Sequence, residues 1–212
     1  MIFFKHIQKK YINYKKGFTL LESLVAIFIL LLSLTGPIYI ATLGIRTAAG
    51  SRDGISARYL AEEVVEYFRN ERDYRSLREV EFPTVDWLKN ITDTADCKNP
   101  PGAITNVCQL QINPSTLKYV VSECAGLGTC SKLRFNPTSA VAFYGVDDTN
   151  ATLSKFSREF YFETAAFDGN ATENPKREVR LVVRILWNDH GKNKVYTVTE
   201  YLHNLAYSKY VK

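Results

Sequence analysis

The chain opens with polar and apolar residues mixed, then turns apolar for a long stretch. From Phe18 to Ile45 the only charged residue is Glu22, with Lys16 the nearest charge upstream and Arg46 the nearest downstream. A helix rises about 1.5 Å per residue, so about 20 apolar residues cross a bilayer core. Ser23 to Ile45 is long enough for one span. Apolar residues surround the segment with no polar stripe, which argues against the core helix of a soluble domain. From Ser56 the pattern becomes amphipathic. Leu60, Val64 and Phe68 recur at four-residue spacing, with Ala57, Ala61 and Val65 alongside and Glu62, Glu63, Glu66, Arg69 and Arg72 on other faces. This periodicity predicts that the helix continues to about Tyr74. Gly50 and Gly54 weaken its middle by about 1 kcal/mol each relative to alanine.

Helical periodicity is lost over residues 82–130, where Pro83, Pro100, Pro101 and Pro114 punctuate the chain. Short strands are expected at Cys108–Ile112 and Lys118–Ser122. The last third reads as an antiparallel meander: Phe156–Thr164, Glu178–Trp187 and Lys194–Leu205 are rich in β-branched and aromatic residues. In the middle one, Val179, Leu181, Val183, Ile185 and Trp187 alternate with Arg180, Val182, Arg184 and Leu186, giving one apolar and one mixed face. The turn-rich Asn188–Asn193 connection joins the last two strands as a hairpin. One sheet face then buries the stripe of Leu60, Val64 and Phe68. The fold class is α+β: a long N-terminal helix, membrane-spanning in its first half and amphipathic in its second, packed on an antiparallel β-sheet head.

Charge is unevenly spread. The net charge of +5 comes from 27 Lys+Arg against 22 Asp+Glu. Lys5, Lys9, Lys10, Lys15 and Lys16 precede Gly17 with no acid among them, so this head carries the whole excess. A charge-neutral body argues against a nucleic-acid-binding module. Basic residues on the N-terminal side of the span place the head in the cytoplasm and the rest outside it. Glu22 is costly inside an apolar run without a partner. At the span edge, depth alone also tolerates it.

The junction Lys15-Lys16-Gly17-Phe18-Thr19-Leu20-Leu21-Glu22 is a specific word: a basic stretch, a glycine, a large apolar residue, and an acid at the fifth position after the glycine. It resembles the type IV prepilin signal shared by type IV pilins and type II secretion pseudopilins. The resemblance covers roughly the first quarter of the chain. It implies cleavage by a membrane-bound prepilin peptidase between Gly17 and Phe18, methylation of the Phe18 amine, and retention of the apolar helix. It also implies that Glu22 pairs with the Phe18 amine of a neighbouring subunit, a charge pair much stronger in an apolar setting than in water. The implied partners are the peptidase, other pilin or pseudopilin subunits and the membrane. The implied product is a structural subunit of a filament, with its head extracytoplasmic. Gly36-Pro37 falls inside the span, where proline removes a helix hydrogen bond and kinks the helix. In pilin filaments the equivalent stretch can melt. The organisation is then a leader at 1–17, a transmembrane or filament-core helix at 18–45, an amphipathic continuation at 46–78, and a β-rich head at 79–212 with a cysteine-containing middle at 97–130. The rivals are a secretory signal cut after Thr47-Ala48-Ala49, and a plain uncleaved anchor carrying an extracellular β-rich binding domain.

All four cysteines lie in the middle segment: Cys97, Cys108, Cys124 and Cys130. Outside the cytoplasm disulfides are permitted. Of the three possible connectivities, the local one, Cys97–Cys108 with Cys124–Cys130, closes short loops and is preferred. Many pilins instead bracket a C-terminal loop. No Cys-x-x-Cys spacing and no intervening histidine support a zinc site. No catalytic or nucleotide-binding motif is present, so no enzyme activity, metal or cofactor is expected. His190 in the hairpin turn and His203 near a strand end read as solvated or packed imidazoles. Arg69, Arg72, Arg75 and Arg78, with interleaved acids, read as a solvated helix end. Asp147-Asp148-Thr149-Asn150 and Asp168-Gly169-Asn170 read as Asx turns. The glycosylation-type triplets at Asn90, Asn150 and Asn170 read as chance matches.

Overall fold

The structure, a computed structural model, describes residues 17, 19–78, 96–100, 102–113, 116–135, 144–145, 151–164 and 178–204. One helix, α1, runs Leu20–Arg78. Eight strands follow in one sheet: β1 Lys98–Asn99, β2 Val107–Asn113, β3 Lys118–Cys124, β4 Lys132–Phe135, β5 Tyr144–Gly145, β6 Thr152–Glu163, β7 Glu178–Asp189 and β8 Lys192–His203. The chain divides into two compact units, Met1–Ala49 and Gly50–Lys212. The unit that holds the sheet therefore takes in the second half of α1.

In the first unit, every described side chain from Leu20 to Ala49 is exposed. Thr19 caps the helix: its Oγ1 accepts from the Glu22 amide at 3.3 Å and its carbonyl from the Ser23 amide at 3.1 Å. The hydroxyl thus meets one of the orphan amides of the helix start, and the carbonyl accepts the first helix bond. The helix continues through Pro37. Pro37 offers no N–H to the carbonyl four residues before it. In this stretch the Ser33 and Thr35 hydroxyls bond back to the Leu30 and Leu32 carbonyls at 2.8 Å each.

In the second unit, β6 is the central strand. β7 pairs with it antiparallel from Ser157 to Glu163, and β8 pairs with β7 along all of β8. The other edge of β6 is shared along its length: β4 from Thr152 to Ser157, β2 at Cys108↔Phe160, and β1, parallel, at Phe162 and Glu163. β3 extends the sheet from β2, and β5 from β4. Seven strands thus make antiparallel ladders, and only the two-residue β1 is parallel. The middle segment that carries the cysteines belongs to the same sheet as the C-terminal meander. The β7–β8 hairpin closes on His190 and Gly191, both at positive φ (49° and 82°), the two-residue turn whose twist matches that of the strands.

The core follows from two periodicities. The helix contributes Ala57, Leu60, Ala61, Val64, Val65 and Phe68. The sheet contributes Phe156, Phe160 and Phe162 from β6, and Val179, Leu181, Val183 and Ile185 from β7. The Phe68 ring meets Phe160 and Phe162 at centroid distances of 4.8 and 5.1 Å. Each fully buried large apolar side chain contributes about 1.5–3 kcal/mol of transfer free energy, so this stripe holds helix and sheet together.

Candidate functional site

The candidate site is the N-terminal segment of α1. Gly17 is exposed, and a Cβ built on it meets nothing within 4 Å. Phe18 and the leader before Gly17 lie outside the described residues. Glu22 occupies the first turn of α1 and is exposed. With Thr19 it forms the Thr-x-x-Glu arrangement of a capping box, in which a threonine hydroxyl meets the backbone amide of the acid three residues on. A carboxylate in a first turn also faces the positive end of the helix dipole. Glu22 is thus held near the start of the helix by local chemistry. The Thr-x-x-Glu spacing is visible in the sequence, but the prepilin word overlies it.

Beyond Glu22, α1 presents Leu24, Ile27, Phe28, Leu31, Leu34, Ile38 and Ile45 to the exterior, each more than a third exposed. Among the described residues it is the helix long and apolar enough to cross a membrane, and none of its apolar window is buried within the chain. Exposed apolar surface on this scale marks a membrane or protein-binding segment. Gly36 and Pro37 lie in this bare stretch, with open space around Gly36.

The head carries the cysteine pairs Cys97–Cys108 and Cys124–Cys130. The first joins the chain just before β1 to β2. The second closes the loop from the end of β3 toward β4. No group of three or more metal-ligating side chains occurs among the described residues. His190 Nδ1 lies 2.6 Å from Asp189 Oδ1, and His203 Nδ1 lies 3.0 Å from Glu178 Oε2. Asp147–Asn150, Asp168–Asn170 and the three asparagines of the glycosylation-type triplets lie outside the described residues, as do the side chains of Arg75 and Arg78.

Two arginines do more than the sequence pattern foretold. Arg69 is not only a solvated residue of the helix end. It donates to Glu200 on β8 from Nε at 3.1 Å and Nη2 at 2.6 Å, and to Glu66 on its own helix at 2.7 Å. Arg158 on β6 is completely buried. Its Nε and Nη2 donate to the Leu110 carbonyl at 3.0 and 2.5 Å, and its Nη1 to Glu63 Oε2 at 2.5 Å and to the Leu60 carbonyl at 3.5 Å. The register explains the first contact. β2 pairs with β6 at Cys108↔Phe160, so the next antiparallel partners of that ladder would be Leu110 and Arg158. The backbone ladder stops, and the guanidinium supplies the donor in its place. Glu63 also accepts from the Tyr119 hydroxyl on β3 at 3.1 Å. Burial and the Glu63 charge push the Tyr119 phenol up to about 12. On the other sheet face, buried Glu159 accepts from Arg184 at 2.7 Å and from the Gly128 amide at 2.7 Å, and Glu163 pairs with Arg180. These polar groups join secondary-structure elements to one another.

An apolar helix with its first half exposed, and its second half on an antiparallel sheet, defines an α+β protein whose N-terminal helix is long and apolar enough to cross a membrane. The family model described as the prokaryotic N-terminal methylation motif matches residues 12–36, the end of the leader and the first part of α1. This motif is typical of type IV pilins and pseudopilins, and the chain is type IV pilin-like through that segment. Neither a curated protein nor a solved structure matches the chain significantly.

Proposed function

We propose that the chain is a structural subunit, a minor pilin or pseudopilin, of a type IV pilus-like or type II secretion filament. Prepilin peptidase cuts it after Gly17 and methylates the Phe18 amine. Before assembly, residues 18–45 hold it in the membrane with its head outside the cytoplasm. Assembly then moves that helix from lipid into a bundle of other subunits' helices. Glu22 sets the register there by pairing with the Phe18 amine of a neighbour. Gly36 and Pro37 let the helix kink or loosen in the filament, since a proline leaves one carbonyl without its helix donor. Residues 46–78 carry the head, and residues 79–212 supply most of its surface. The reading calls for no catalysis and no cofactor.

The observation that carries this reading is the coincidence of the methylation motif at 12–36 with a helix whose side chains from Leu20 to Ala49 are all exposed. The test is mass spectrometry of the mature N-terminus, from membranes and from sheared filaments. A chain beginning at Phe18 with an added methyl group is expected. A chain beginning at Gly50 means a secretory signal and a released head. An intact leader, in a host with active prepilin peptidase, means a plain anchor. Gly17→Ser is expected to leave the leader uncut, and a fully processed variant contradicts the cleavage site.

A further inference from the structure

We infer that the Cys124–Cys130 bridge is a thiol-exchange site. A dithiol reductant opens it in the folded head and releases the loop that it closes, whereas Cys97–Cys108 stays shut. This does not depend on how the N-terminal segment is processed. The two bridges lie on opposite faces of the sheet. β2 and β3 pair at Cys108↔Glu123 and Val107↔Cys124, and neighbouring side chains of a strand point to opposite faces. Cys97 and Cys108 belong to the core against α1, so Cys124 is on the face turned away from the helix. Cys97 and Cys108 are both 0% exposed, and Cys130 is 7% exposed. Cys124 is half-buried, between exposed Glu123 and Ala125. Exchange needs a thiolate to reach one sulfur of the bridge, and Cys124 is the cysteine that offers one.

The loop between the two cysteines lies over that outer face. The Gly128 amide donates to Glu159 Oε2 at 2.7 Å, and a Cβ at Gly128 would lie 4.0 Å from Leu186. Gly128 has φ 75°, a conformation that glycine adopts without strain. Glu159 is completely buried and also accepts from Arg184. The foot of the loop after Cys130 is held separately: Ser131 donates to Gln109 Oε1 from its amide at 3.2 Å and its hydroxyl at 2.9 Å. Among the described residues, the Gly128–Glu159 hydrogen bond is what ties residues 125–129 to the sheet. With the bridge open, that one bond faces the backbone entropy of five residues, and the entropy is the larger. One thiolate of the dithiol attacks Cys124 Sγ, forms a mixed disulfide and expels Cys130 as a thiolate, which takes a proton. The reagent's second thiolate then attacks the reagent sulfur of the mixed disulfide and expels Cys124, which is protonated in turn. The reagent ends as a disulfide and the bridge as two thiols, with two electrons transferred. Cys130 Sγ lies 3.9 Å from the Cys108 carbonyl oxygen, so the reduced thiol has an acceptor for its proton. Release of the loop uncovers Glu159 beside Arg184 and changes the charge that this face presents.

The test uses the full oxidised chain in detergent, treated with dithiothreitol without denaturant, trapped with N-ethylmaleimide and mapped by peptide mass spectrometry. Cys124 and Cys130 are expected to become labelled at least about a hundred-fold faster than Cys97 and Cys108, whose access needs the core to open. Amide hydrogen exchange on the same samples is the second readout. The Gly128 amide should exchange at least about ten-fold faster after reduction, with Phe160 and Phe162 of β6 unchanged. The Cys124→Ser/Cys130→Ser variant should show the same Gly128 exchange with no reductant present. Equal labelling rates for the two pairs overturn the proposal. So does labelling that appears only when the β6 amides exchange as well, which means that the head unfolds before it reacts. A Gly128 amide as protected in the reduced chain and in the variant as in the oxidised chain shows that the bridge does not hold the loop, and overturns the release.

Discussion

From Leu20 to Ala49 every described side chain of α1 is exposed, whereas from Ala57 to Phe68 a stripe of the same helix is buried against β6 and β7. Leu30 is 57% exposed and Phe68 is 0% exposed. The two halves are built from similar apolar residues, so the difference lies in spacing. All-round apolarity leaves no face for water and calls for lipid or other helices. A four-residue stripe calls for one sheet and leaves Glu62, Glu66 and Arg58 to solvent. Backbone hydrogen bonding is common to both halves. The second is stabilised by the head's own core, and the first only by what the chain is placed in. Under the proposed function, in which the helix passes from membrane to filament, this division lets the head stay folded while the helix changes surroundings.

The largest expected effect breaks the first half alone. Glu22→Ala should abolish incorporation into sheared filaments. Removing one member of a charge pair in an apolar bundle costs about 3–5 kcal/mol. The head's thermal unfolding should be unchanged, since the Glu22 amide bonds to Thr19 within its own helix turn and the head has its own core. Normal filaments from this variant sink its proposed role. The reciprocal change is Phe68→Ala, which should destabilise the head by about 3–5 kcal/mol in denaturant titration of the full chain in detergent. Leu30→Ala, the same kind of truncation in the bare half, should leave that titration within about 0.5 kcal/mol of the parent. Equal effects of the two truncations would erase the distinction between the halves.

A smaller effect tests how the helix is seated. Arg158→Met should cost about 1–3 kcal/mol, chiefly by leaving the buried Leu110 carbonyl without its donor. Glu63→Gln should cost less, because the Glu63 side chain is 27% exposed and water can replace part of the pair. A buried ion pair adds little net stability over apolar packing. Arg158 matters more for where it holds things: it binds α1 at Leu60 and Glu63 and β2 at Leu110 from one strand position. If Arg158→Met leaves denaturation unchanged, the guanidinium is not needed to seat the helix.

The seating was only partly legible in the sequence. Leu60, Val64 and Phe68 announce a buried face by their spacing, and Val179, Leu181, Val183 and Ile185 announce one by alternation. The β7–β8 hairpin followed from its turn residues. The local cysteine pairs followed from loop length. Arg158 was not legible. In Lys155-Phe156-Ser157-Arg158-Glu159-Phe160 the charges look like a solvent face, yet Arg158 shares the helix-facing side with Phe156 and Phe160. What buries it is a register event, the end of the β2–β6 ladder after Cys108↔Phe160, and no local pattern encodes a non-local register. β1, β4 and β5 are too short to show a period. β6 begins at Thr152, before the aromatic run that marked it, because β4 pairs with its first residues. Arg69 looked like one more charge on a helix end because its partner, Glu200, lies on the last strand.

The smallest expected effect concerns Tyr119, whose phenol reports the Glu63–Arg158 seat without disturbing it. Burial first and the Glu63 carboxylate second raise it to about 12, from an ordinary value of 10.0. The folded state thus favours the neutral phenol. Between about pH 10 and 12 the unfolded chain has released this proton and the folded chain still holds it, so stability falls as pH rises. The contribution is fully present below the unfolded pKa and is lost through the folded one. Titration of carbon-labelled tyrosine by nuclear magnetic resonance should show one resonance that stays neutral well above pH 10. Glu63→Gln should move that resonance downward, but not to the ordinary value, because burial remains. Arg158→Met should move it upward, since the guanidinium charge opposes the shift. If neither substitution moves it, Tyr119 is held by burial alone and does not report on the seat of the helix.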